Sequence, residues 1–170
     1  MPSAEMLVNG LLALDLHFVV EKTSTGAKGE KISPQDLLVG LARQDDARLR
    51  LALIGLFLYR PELADVVSPA LAQLDTAGQT TLKLFYTAAV LLQRIHQHQL
   101  QGYVPQWREL PDNFSEELGV TSRKSPQDSL RLLSHRHREL TGLAANWLGT
   151  YQYAAKRMIT RLEKEAAWAL

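Results

Sequence analysis

TTLKLFYTAAVLLQRIHQHQL, residues Thr80 to Leu100, is the stretch whose reading decides the fold. At about 100° per residue, Leu84, Phe85, Ala88, Leu91, Leu92 and Ile95 form one broad apolar face, and Tyr86, Ala89 and Val90 cover much of the other side. A helix that is apolar almost all round is a buried helix. This segment is therefore expected at the centre of a bundle. Asp75 or Thr76 opens it and Gly102 stops it after about Gln101, which makes it the longest candidate element.

The flanking segments share the helical period, and their ends are marked chemically. The phrase Ser-Pro-Gln-Asp occurs twice, at Ser33–Asp36 and Ser125–Asp128. In each copy the serine hydroxyl can accept from free backbone N–H groups, and proline occupies the first helical position, where its missing N–H costs nothing. The aspartate sits at the positive end of the helix dipole. The sequences diverge immediately after the two copies, so the phrase is a shared capping solution and not a duplicated domain. One helix is expected from Ser33 to about Gln44, a second from Asp45 or Asp46 to Tyr59, and a third from Pro61 to about Leu74. Another runs from Ser125 to Leu140 with Gly142 as its stop, and the last from about Asn146 onward. In that last helix Trp147, Tyr151, Ala155, Met158 and Leu162 share one stripe, while Lys156, Arg157 and Lys164 form a solvated basic back.

Two regions are less regular. Residues 3–20 fit a helix through Leu7, Leu11, Leu14 and Phe18, although Leu16, Phe18 and Val20 alternate as a strand would; helix is the preferred reading. Residues 23–32 are small, polar and glycine-bearing and are expected to form a flexible loop. Residues 103–124 carry Pro105, Pro111 and Gly119 and are expected to be an irregular connection holding one helical turn at Phe114–Leu118. The expected architecture is thus all-α: a single domain over 1–170, a bundle of about six or seven helices around a buried central one.

Composition narrows the function classes. The 170 residues are 46% apolar and 22% charged, ordinary values for a globular protein, and include no cysteine. That excludes disulfides, thiolate nucleophiles and thiolate metal sites, and suits a reducing compartment. No apolar run approaches the ~20 residues of a membrane span. The first residues lack the basic start and cleavage site of a signal peptide. A soluble, cytoplasmic protein with no membrane partner is expected. Net charge is +1, but Met1–Phe85 carries 8 Lys+Arg against 10 Asp+Glu, and Tyr86–Leu170 carries 11 against 8. That asymmetry is milder than nucleic-acid-binding domains usually show.

The sequence contains no HExxH, GxSxG or phosphate-binding loop, and Gly26–Lys31 has the wrong spacing for the last. His96 and His98 are two residues apart, about 200° around a helix, and so do not share a metal ion. No catalytic residue, cofactor or metal is therefore assigned. The most suggestive stretch is Arg131–Arg138 (RLLSHRHR), preceded by Arg123 and Lys124. Arg131, His135 and Arg138 fall within about 60° on a helical wheel and form a compact basic strip able to meet phosphate or a carboxylate-rich partner. The simpler reading of that strip is a solvated face. His137 points elsewhere, among Leu130, Leu133 and Leu140, as a core histidine with a hydrogen-bond partner would. In the irregular connection, Tyr103 and Trp107 either pin the loop to the bundle, the preferred reading, or anchor an interface.

Arg131 and His137, with five residues between them, resemble the Arg-x(4–6)-His pattern of HEPN-type helical ribonucleases. That resemblance implies an arginine holding the scissile phosphate and a histidine assisting proton transfer. In a regular helix the two lie about 120° apart and converge only if the helix ends early or a second subunit contributes. Separately, Ala47–Leu63 (ARLRLALIGLFLYRPEL), Phe85–Arg94 (FYTAAVLLQR) with Leu110–Gly119 (LPDNFSEELG), and Asn146–Leu162 (NWLGTYQYAAKRMITRL) together resemble a set of small uncharacterised bacterial all-helical proteins. The resemblance spans about residue 35 to the end. It implies a protein that accompanies a nucleotidyltransferase-like protein, similar to a toxin–antitoxin pair, and it carries over no catalytic residue. The leading expectation is a non-enzymatic interaction or regulatory protein with a protein partner. The alternatives are nucleic-acid binding through residues 123–138 and a HEPN-like ribonuclease. An all-round apolar helix also suits a subunit interface, so a homodimer is the alternative placement of Thr80–Leu100.

Overall fold

The structure is a computed structural model that describes residues 3–13, 32–121 and 125–168. Among these the chain is all-α, with no strand. The helices are α1 (Ala4–Ala13), α2 (Pro34–Arg43), α3 (Ala47–Tyr59), a 3-10 turn (Pro61–Val66) running into α4 (Val67–Ala72), α5 (Thr76–Ile95), α6 (Gln97–Tyr103), α7 (Ser115–Leu118), α8 (Pro126–Thr141) and α9 (Trp147–Trp168). None of them is long and apolar enough to cross a membrane. Residues 14–20 of the first expected helix, 23–31 of the expected loop, and Arg123 and Lys124 lie outside the described residues.

The capping chemistry explains where the helices start. Ser33 and Ser125 each accept, through Oγ, from the backbone N–H of the aspartate three residues on, at 3.1 and 3.2 Å. Asp46 Oδ1 accepts from Arg48 N at 2.8 Å, Asp75 Oδ1 from Gly78 N at 2.8 Å and Asn146 Oδ1 from Gly149 N at 3.0 Å. Gly142 closes α8 with a left-handed φ of 71°, and its N–H donates to the Arg138 carbonyl at 2.8 Å. A side chain there would be strained, so glycine is the residue that fits.

Helix α5 occupies the centre. Every residue from Leu84 to Gln93 is buried, and the helix packs against α2, α3, α4, α6, α8 and α9. Phe57 of α3 meets Tyr86 edge-on, at 5.0 Å between ring centroids. α1 packs on α2, where a side chain at Gly40 would overlap Leu7. The expected central helix is interrupted once: His96 leaves helical geometry at φ −108°, ψ 22°, and the continuation is a separate helix, α6. α9, at 22 residues against 20 for α5, is the longest described helix. The segment expected as one helix from Pro61 begins instead as a 3-10 turn.

Burial makes an unpartnered polar side chain costly. Although the Thr87 hydroxyl of α5 is buried without a hydrogen bond among the described residues, the larger polar groups of the helix find internal partners. The Gln93 amide does so with both ends. Nε2 donates to the Arg108 carbonyl at 2.8 Å, and Oε1 accepts from Leu110 N at 2.8 Å. The Tyr86 hydroxyl donates to the Pro111 carbonyl at 2.6 Å, and burial pushes its ionisation well above the ordinary tyrosine value. The connection between α6 and α7 is thereby laid against α5 by its own backbone. On its outer side Arg108 grips Asp65 through both guanidinium nitrogens, at 2.6 and 3.0 Å, and that hydrogen bonding holds the Asp65 carboxyl below its ordinary value. The Arg108–Asp65 pair is exposed and contributes little, whereas Gln93 serves two backbone groups in the interior. Replacing Gln93 with leucine should cost about 2–4 kcal/mol of unfolding free energy in urea titrations. A loss below about 0.5 kcal/mol would mean that the connection is held some other way.

Candidate functional site

Helix α8 carries two faces with different fates. Its inner face buries Ser129, Leu130, Leu133 and His137 against α5. Its outer face exposes Arg131, Leu132, His135 and Arg138. Arg136, between them, is tied down: its Nε donates to the Leu118 carbonyl at 2.9 Å and it pairs with Glu139. Arg138 donates to the Ala145 carbonyl at 3.3 Å. Arg131 and His135 have no carboxylate within ion-pair distance among the described residues. Elsewhere Lys83 pairs with Glu117 at 2.9 Å and Arg161 with Glu165 at 3.2 Å. Arg131, His135 and Arg138 thus share one solvent-facing strip, as the helical wheel requires.

His137 is a core residue. It is 2% exposed. The Trp147 ring of α9 stacks on it at 3.6 Å between centroids and 7° between planes, and Phe85 of α5 meets it edge-on at 5.3 Å. Its Nδ1 is 2.5 Å from the Tyr151 hydroxyl of α9. Burial raises the Tyr151 pKa far above the ordinary value, so the phenol stays protonated. Burial also lowers the His137 pKa to about 3, and the Arg50 guanidinium of α3 adds to the effect. The expected neighbours are present in Leu130 and Leu133. Leu140, by contrast, is 43% exposed and does not join them. Trp147, the dominant neighbour, was legible as an apolar position on the last helix but not as a partner of His137.

Arg131 and His137 therefore do not converge within one chain: the arginine is on the outer face, and the imidazole lies beneath Trp147. His96 is half-buried and His98 exposed, and no group of three or more metal-ligating side chains forms among the described residues. Tyr103, the last residue of α6, and Trp107, in the connection, are both half-buried and packed against the core. Trp107 lines a small cavity of about 130 Å³ with Gln93, Arg94 and Glu109. It shares no residue with the cavity that Arg131 lines.

That second cavity is larger. A cleft of about 600 Å³ opens where the end of α5, the first turns of α8 and the outer side of α9 meet. Its apolar lining is Leu92, Ile95, Leu130, Leu148 and Ile159, its charged lining is Arg131, Lys156 and Glu163, and the His96 ring also borders it. Lys156, expected on the solvated back of the last helix, is exposed but stands on one wall of this cleft. No protein-family model matches the chain, and no curated protein or solved structure shows significant similarity to it.

Because the folded pKa of His137 lies below the ordinary 6.5, the unfolded chain takes up the proton first. The stabilisation is complete above about pH 6.5 and is lost as pH falls toward 3. At ~1.4 kcal/mol per pH unit, acidification from 6.5 to 5 should cost roughly 2 kcal/mol from this group. The His137 imidazole NMR shifts should stay flat between about pH 8 and pH 5. A His137 midpoint near 6.5 would contradict its burial.

Proposed function

We propose that the protein is a non-enzymatic helical interaction or regulatory module that binds a protein partner through the outer face of α8. One observation carries this reading: Arg131 and His135 stand exposed without carboxylate partners among the described residues, beside Arg138, whereas Lys83, Arg136 and Arg161 each hold a carboxylate. An acidic patch on the partner would complete them. Unpaired surface cations of this kind mainly steer association and set register. The resemblance to bacterial helical proteins makes a nucleotidyltransferase-like protein the first partner to test, in a pair similar to a toxin and its antitoxin.

Nucleic acid is the other polyanion that the strip could meet, and the two readings differ in salt dependence and nuclease sensitivity. The ribonuclease reading needs His137 at the scissile phosphate. Its burial beneath Trp147 and its low pKa oppose that role within one chain.

Tagged protein drawn from its native lysate after nuclease treatment should retain one stoichiometric protein. Arg131→Glu with Arg138→Glu should release that protein while thermal stability is unchanged. Capture unaffected by the double reversal would remove the strip as the interface. Recovery of nucleic acid, with all protein lost on nuclease treatment, would replace this reading with the nucleic-acid one.

A further inference from the structure

The cleft between α5, α8 and α9 is built differently from the strip. Its apolar residues come from three helices, and two of them, Leu92 and Leu130, are at most 1% exposed. They form a floor, not a scatter of surface contacts. Along α9 the lining runs from Leu148 to Glu163, fifteen residues or about 22 Å. The cleft is therefore elongated. Its volume, about 600 Å³, falls within the ~300–1,000 Å³ of small-molecule sites.

The polar groups are set around this floor. Arg131 projects from α8 and Lys156 from α9, so two cations on different helices line the same cavity. Neither meets a carboxylate within ion-pair distance among the described residues. Two unpaired cations bordering one apolar cavity repel each other in the empty state, and an anion placed between them relieves that repulsion. Gln127 and Gln152 add neutral donors from the same two helices. Glu163, the one carboxylate in the lining, lies seven residues beyond Lys156, about 10 Å along α9. The cleft thus has a cationic region and a separate anionic end, with Ile159 between them.

We propose that this cleft binds a small amphipathic anion, with its apolar body on the floor formed by α5, α8 and α9 and its carboxylate or phosphate group between Arg131 and Lys156. Small ligands gain affinity from enclosed apolar contact and orientation from a few placed polar groups, and this lining supplies both. The site goes beyond the partner-binding reading: it shares Arg131 with the strip, but Lys156, Gln152 and the apolar floor play no part in that strip.

Isothermal titration with decanoate, octyl phosphate and decyltrimethylammonium tests the proposal. Decanoate or octyl phosphate should bind saturably at one molecule per chain, and the stronger of the two reports whether carboxylate or phosphate is preferred. The cation of matched chain length should bind about tenfold more weakly or worse. Lys156→Glu and Arg131→Glu should each weaken the anion by about tenfold, and Lys164→Glu, on α9 but outside the cleft, should leave it unchanged. Gln152→Trp, an exposed position in the lining, should block binding sterically without loss of helicity, which keeps the test decisive if a charge reversal fails to fold. Equal binding of cation and anion, survival of anion binding in Gln152→Trp, or no saturable binding of either anion would overturn the proposal. Lys156→Glu and Gln152→Trp lie outside the strip, so their effect on the anion distinguishes failure of this proposal from failure of the partner-binding reading.

Discussion

Ten consecutive residues of α5, Leu84 to Gln93, have no solvent face, and the rest of the structure follows from enclosing them. A helix buried on one stripe needs one neighbour; a helix buried all round needs a cage. α2, α3, α8 and α9 supply most of it. The apolar side chains fit by ordinary packing, with Tyr86 set edge-on between Phe57 and Phe114 at 5.0 and 5.6 Å. The polar groups are the harder requirement. Tyr86 and Gln93 satisfy themselves on the backbone of Arg108, Leu110 and Pro111. A stretch without regular secondary structure is thereby held at fixed register, and its Trp107, with Tyr103 at the end of α6, packs against the core.

The same enclosure sorts the residues that could act on something else. α8 must turn Leu130, Leu133 and His137 inward to cover α5, and the 3.6-residue period then sends Arg131, His135 and Arg138 outward. His137 lies against aromatic rings where a charge is costly, so it is a neutral packing group. α9 closes the other side with Tyr151, Ala155, Met158 and Leu162. Where α9 and α8 meet the end of α5, the side chains do not fill the space, and the cleft is what remains. The two candidate binding surfaces are thus by-products of one packing problem, and they meet at Arg131, which stands in the strip and lines the cleft.

Much of the architecture was legible in the residues, because each readable feature is local. The paired Ser-Pro-Gln-Asp caps, Gly142 as a stop, the all-round apolar character of Thr80–Leu100 and the stripe on the last helix depend on neighbours within a turn or two. The break at His96 was not legible, since no proline or glycine marks it and the apolar pattern continues to Leu100. Leu140 was read as a neighbour of His137, but in the last turn of α8 it is exposed and does not join the buried face. The two-ended use of Gln93 depends on residues 15 and 17 positions away, which no periodicity reveals. The divergence of Arg131 and His137 followed from helical angles alone. The cleft did not, because it requires three helices at once, and Lys156 acquires its setting only from the other two.

Native-state hydrogen exchange of the α5 amides tests this account most directly. If enclosure of α5 is the constraint on which the fold depends, the amides from Leu84 to Gln93 should exchange only through global unfolding. Their opening free energies should then match the value from denaturant titration. Exchange of these amides through a cheaper local opening, while α2 or α9 remains protected, would show that the cage stands without its centre and would contradict the account.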